Sequence, residues 1–165
     1  MTHLSRFAGT GNLFTFAMAV LVGLLITGFS SAQTARNRAG VQEEPIFDSY
    51  RGVQLGWLAD DVRKKLGSPA DKGDEQDFYT FGEKETAQIL YDKATHKVVT
   101  ISVDFMNGAT GVLTPQHVFG ADIEAMADGS KYKLVRYLKA GYWLSYSRTA
   151  GDTPIVTVTL QKIAQ

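Results

Sequence analysis

The sequence predicts an α+β fold: an antiparallel sheet of about six strands with two short helices lying on one face. Three observations predict it. Residues 97–105 and 155–162 alternate apolar and polar side chains with a period of two, as in a sheet that buries one face. Leu58, Val62 and Leu66 recur at helical spacing. Breaks rich in glycine and polar residues then divide residues 46–165 into a helix followed by three strands, twice over.

Residues 33–45 hold two arginines, paired glutamates, glycine and proline without an apolar period, so they read as a flexible linker, with a single domain over residues 46–165. The first helix falls within residues 57–67, its apolar side formed by Leu58, Val62 and Leu66 and its wet side by Asp60, Asp61, Arg63, Lys64 and Lys65. Early acids and late bases complement the helix dipole. Gly67, followed by Ser68 and Pro69, predicts a left-handed cap and a stop. Strands are expected at residues 78–81, 87–92 and 97–105, the last with Val99, Ile101, Val103 and Phe105 inward. Thr114 and Pro115 announce a short second helix ending before Gly120. Three further strands follow at residues 131–138, 142–148 and 155–162.

Ahead of the domain stand a polar start whose only fixed positive charge is Arg6, an uncharged run over residues 13–29, and the small residues Ser30, Ser31 and Ala32. This order reads as a secretory signal over residues 1–32, cleaved between Ala32 and Gln33. The apolar centre, residues 16–26, is shorter than the ~20 residues of a membrane span, so no stable insertion is expected after cleavage. The alternative is an uncleaved N-terminal anchor. Removal of residues 1–32 takes away Arg6 and no acid, leaving sixteen basic and seventeen acidic residues, a formal net charge of −1. That balance argues against nucleic acid as a partner, because phosphate binding draws on a basic excess. The chain has no cysteine, which removes disulfides, thiolate metal sites, a cysteine nucleophile and N-terminal lipidation from consideration.

The two halves can be superposed in sequence: Val62 with Val118, Gly67 with Gly120, Leu90 with Leu144, and residues 99–103 with 156–160. Either a true repeat or ordinary packing of a helix on a three-strand meander accounts for this. Residues 55–57 and 66–69, followed by Tyr79, residues 90–92 and residues 97–101, resemble the SmpA/OmlA family of small envelope proteins, with a wider similarity to the fold of the β-lactamase inhibitory protein. Gly56, Val62, Leu66, Gly67 and Pro69 occupy the positions of that family's glycine, helix and Leu-Gly-x-Pro stop, and the resemblance covers residues 50–105. It implies a protein-binding module. Two departures stand out: Leu58 replaces the usual threonine cap, so the first helix needs another acceptor for its amides, and no cysteine is present for the lipid anchor typical of members in outer-membrane assembly.

No catalytic, cofactor-binding or metal-binding set is expected. His96 falls in a turn and His117 in the short second helix, near Asp122 and Glu124 but without zinc-ligand spacing. No G-x-S-x-G elbow occurs. Asp71, Asp74, Glu75 and Asp77 crowd one connection without the spacing of a calcium loop, so a solvated turn is expected there. The aromatic hairpin of residues 131–148 is the more informative feature. With Tyr142, Leu144 and Tyr146 inward, Trp143 shares the other face with Ser145 and Ser147, joined across the hairpin by Tyr137, Lys133, Val135 and Lys139. Tryptophan on a polar face indicates a protein-binding surface, unless a neighbouring loop or the linker covers it. The expectation is an exported, periplasmic or secreted, non-catalytic protein-interaction module, acting in envelope assembly or in inhibition of a partner. The partner is an unidentified envelope or secreted protein. A carrier of a small apolar or lipid-like ligand is the alternative, and an unrecognised hydrolase the third reading.

The mature protein is expected to begin at Gln33 and to remain soluble. N-terminal sequencing of exported material checks this, and a Met1 start in the membrane fraction would show an anchor instead.

Overall fold

A computed structural model describes residues 44–164, all within one compact unit. The expected signal, its cleavage site and most of the linker lie outside the described residues. No helix among the described residues is long and apolar enough to cross a membrane.

The protein is α+β. A hairpin opens the described chain, β1 (Ser49–Tyr50) and β2 (Val53–Gln54), turning at Arg51 and Gly52, both at positive φ. A two-residue connection with that backbone matches the right-handed twist of paired strands. Then come α1 (Ala59–Leu66), β3 (Asp71–Lys72), β4 (Gln76–Gly82), β5 (Glu85–Tyr91) and β6 (Val98–Phe105). The second half holds α2 (Pro115–Phe119), β7 (Lys131–Tyr137), β8 (Tyr142–Arg148) and β9 (Val156–Lys162). Seven strands form one antiparallel sheet in the order β3-β4-β5-β6-β9-β8-β7, where about six were expected. The additional strands, β1, β2 and β3, are two residues long, too short to carry a period.

The third strand of each half meets the other at the centre, β6 against β9, pairing Ile101 with Leu160, Val103 with Val158 and Phe105 with Val156. These side chains belong to one buried cluster that also takes Val62 from α1, Val118 from α2 and Val53 from β2. Both helices therefore pack on the same side of the sheet. The segment ahead of α1 ties the halves together on that side: the Tyr142 hydroxyl donates to the Phe47 carbonyl, the Tyr50 hydroxyl donates to Glu85, and the Gly56 amide donates to the Val98 carbonyl at 2.8 Å.

Several expectations need correction. Leu58 is not part of the helix's buried side; it is 47% exposed, extended at the N-cap, and bridges to Lys97. Ala59 and Val62 are the buried positions. The missing cap acceptor is the His96 carbonyl, which takes the Ala59 amide at 3.0 Å. A register irregularity beside Leu90 sets Val98 opposite Tyr91 and buries it in place of Val99. Leu90 pairs with Thr100 on the face away from the core, so its likeness to Leu144 breaks down in three dimensions. Gly67 has φ 89 and ψ −166, outside the left-handed helical region, whereas Gly120 at φ 71 and ψ 6 is a left-handed cap.

The Gly67 conformation belongs almost wholly to glycine, and a Cβ there would meet nothing within 4 Å. Gly67→Val is accordingly expected to destabilise the domain by backbone strain alone, about 1–3 kcal/mol. Thermal melting checks this, with Gly67→Ala expected to share most of the loss because no clash is involved.

Candidate functional site

The candidate site is the sheet face opposite the helices, and the strand register defines it. Three rows of outward side chains run across the sheet. One is Arg136, Trp143, Gln161, Thr100, Leu90 and Gln76. The next is Leu134, Ser145, Thr159, Ser102, Gln88 and Phe78, and the third is Tyr132, Ser147, Thr157, Asp104, Thr86 and Thr80.

The middle of this face is held by its own polar side chains. Ser102 Oγ and Thr159 Oγ1 lie 3.0 Å apart across β6 and β9, and Thr157 Oγ1 donates to Asp104 Oδ1 at 2.6 Å. Such cross-strand bonds satisfy these hydroxyls and keep the centre polar. Apolar bulk is concentrated toward β7 and β8. Tyr132 is 52% exposed and Leu134 43% exposed, with Trp143 half-buried beside them.

Trp143 and Ser145 lie on this face, as strand parity requires, and Leu144 is buried behind them. Tyr137 and Lys133 do not. Tyr137 sits opposite Tyr142 and is 6% exposed on the core side. Lys133 shares that side, its Nζ 4.8 Å from the centre of the Phe119 ring. Lys139 is in the exposed turn between β7 and β8 and lines a cleft of about 360 Å³ with Tyr137, Tyr142 and Asp48. The physical reason is the length of that turn: four residues separate Tyr137 from Tyr142, and a slip of one residue reverses the face of every side chain beyond it. Arg136, Leu134 and Tyr132 take the places expected of Tyr137, Lys133 and Val135.

No family model matches the chain, and no curated protein or solved structure does. The chemistry is therefore read from the residues themselves. Among the described residues no group of three His, Cys, Asp or Glu side chains could hold a metal ion. His117 is engaged in capping α2, its Nδ1 3.0 Å from Thr114 Oγ1, while His96 occupies a turn at positive φ beside Thr95, Asp74 and Arg63.

One of the four clustered acids is more than a solvated turn. Asp77 points inward from β4 and is 0% exposed. Arg63 of α1 grips it through Nε to Oδ2 at 2.9 Å and Nη2 to Oδ1 at 3.0 Å, and the Tyr91 hydroxyl donates to Oδ2 at 2.7 Å. The Asp77 bonds hold the Arg63 guanidinium above its ordinary value. This missed pair had a signal: period two in β4 sets Asp77 on the side of Tyr79 and Phe81. It is a fastening between helix and sheet, facing away from the open surface.

Burial raises five tyrosine hydroxyls on the core side: Tyr79 and Tyr142 up to about 12, Tyr50 and Tyr91 further, and Tyr146. Glu85 and Asp77, as hydrogen-bonding carboxylates, add to the shifts of Tyr50 and Tyr91. Since the folded values exceed the unfolded value of about 10, the folded state holds these protons more tightly. That contribution to stability is complete below pH ~10 and is lost as pH rises through the folded values. The urea midpoint should thus fall steeply as pH rises from about 10 toward 12; a midpoint that does not move would show that these hydroxyls reach water.

Proposed function

We propose that the chain is an exported, non-catalytic protein-interaction module that engages a partner protein on its open sheet face, at the β7–β8 end. The observation that carries this reading is the exposure of Tyr132 and Leu134 beside Trp143, on a face whose polar centre is already internally bonded. Aromatic side chains bury much area at little entropic cost, and a surround whose polar groups are already bonded to one another lets them act as anchors.

The resemblance to SmpA/OmlA proteins and to the β-lactamase inhibitory protein fold supports the same class of function, in envelope assembly or in inhibition of a partner. The signal-like residues 1–32 support a periplasmic or secreted location. The carrier reading has less behind it, because Val62, Val118, Ile101, Val103 and Val158 fill the space between helices and sheet and are fully buried.

Crosslinking in the native envelope supplies the partner for the test. Trp143→Ala should then weaken binding by 2 kcal/mol or more, as at a hot spot, while costing only ~1 kcal/mol of stability. Leu144→Ala, a cavity in the core, should cost ~2–5 kcal/mol of stability. Melting and affinity measured on the same preparations check both, and equal melting of the two variants would remove Trp143 from the surface.

A further inference from the structure

The turn that leaves β6 carries chemistry that the open face does not use. The Ala109 amide closes it by donating to the Met106 carbonyl at 3.0 Å, with Gly108 in third place at φ 78. Asn107 precedes that glycine and is exposed, and its side chain makes no hydrogen bond among the described residues. The Gly108 amide also has no acceptor among them. An electrophilic carboxamide and an unengaged backbone nitrogen thus stand one ring closure apart, and the missing Cβ of glycine leaves the approach open. Lys84, exposed in the turn between β4 and β5, completes the set: its carbonyl takes the Met106 amide at 2.8 Å, and its Nζ lies 2.7 Å from where a Cβ on Gly108 would stand. The ammonium has no acidic partner among the described residues. A cation so placed lowers the cost of an anionic amide nitrogen and of the oxyanion that follows its attack.

One other side chain of this shape precedes a glycine, and the structure disarms it. Asp128, before Gly129, has its Oδ1 held by the Ser130 hydroxyl at 2.7 Å and the Ser130 amide at 2.9 Å, which keeps its carboxyl below the ordinary value. An ionised carboxylate is a poor electrophile. The Gly129 amide is engaged as well, donating to the Met126 carbonyl at 2.9 Å. Both reacting groups are therefore tied down at Asp128 and free at Asn107.

We infer that Asn107–Gly108 is a self-modifying site, at which the asparagine is converted to aspartate and isoaspartate without an enzyme, with water as the co-reactant. The Gly108 amide gives its proton to solvent base, and its nitrogen bonds to Asn107 Cγ. The Cγ–Nδ2 bond breaks, and ammonia leaves with a proton returned from solvent. Water then opens the five-membered imide at either carbonyl. One opening restores the backbone with an aspartate side chain; the other carries the backbone through Cγ as isoaspartate. Nothing is oxidised or reduced. Each conversion places a new carboxylate beside Lys84, and the isoaspartate form lengthens the turn by one backbone carbon. The site needs no partner protein, so it stands or falls independently of the proposed binding function.

The test incubates the folded mature protein in mildly alkaline buffer made with heavy-oxygen water, then digests it with trypsin in ordinary water. No lysine or arginine lies between Lys97 and Lys131, so one peptide holds both Asn107 and Asp128. Fragment masses should show that residue 107 has lost ammonia and gained one heavy water, with aspartyl and isoaspartyl forms separating on chromatography. Asp128 should take up no heavy oxygen. Gly108→Ala and Lys84→Gln should each slow the conversion severalfold or more; both positions are exposed, and circular dichroism confirms that the fold is kept. A synthetic peptide of residues 104–111 serves as the reference. An Asn107 unchanged in the folded protein after that peptide has converted would overturn the inference, as would an aspartyl product alone, which bypasses the imide. Conversion at the original rate in both variants, or equal uptake of heavy oxygen at Asp128, would overturn it too.

Discussion

Antiparallel pairing of β6 with β9 is the constraint on which the remaining architecture depends. Each half, a helix and a meander, has one apolar sheet face to cover, and neither meander presents enough of it to make a core alone. Joining the third strands merges the two faces into one, with Ile101, Val103, Val158 and Leu160 at its middle. Both helices must then lie on that side. The opposite face is left without a helix, and its central strands carry threonine, serine and aspartate bonded to one another.

The buried ion pair between Arg63 and Asp77 does a different job. A carboxylate fully removed from water is tolerated only with close partners, and here guanidinium, tyrosine hydroxyl and backbone amide supply them. Such a pair adds less net stability than its bond count suggests, but its geometry admits one placement of α1 on β4 and β5. The Arg51–Glu85 pair, with Arg51 stacked 4.1 Å above Phe81, fixes the β1–β2 hairpin to the far end of β5 in a similar way. Charged groups thus orient the elements that the apolar core merely gathers.

Legibility differed between fold and site for a definite reason. The alternation in residues 155–162 was unambiguous because five consecutive side chains obey it, and the structure follows it through Val156, Val158 and Leu160. Pro115 at the first helical position and the end of the second helix before Gly120 were equally plain, while the left-handed cap expected at Gly67 is found at Gly120 instead. Trp143 could be assigned to the open face from its own strand alone. Its neighbours could not, because their face depends on how many residues the turn leaves unpaired, and residues 138–141 carry no strict signal for that number. Asp77 departs from expectation for a related reason: its acidic company suggests a wet loop, whereas parity within β4 points it inward.

By itself, the sequence determined the α+β class, the order of the longer elements, the inward residues of β8 and β9 and the absence of cysteine chemistry. Those properties are local: each follows from a period, a cap or a composition that neighbouring residues carry together. Only the tertiary structure decided that β6 and β9 adjoin, that Arg63 meets Asp77, and that Tyr132, Leu134 and Arg136 stand beside Trp143. Each of these is a pairing between separate elements. Its register is set by turn length and by shared burial, which no single segment of the chain encodes.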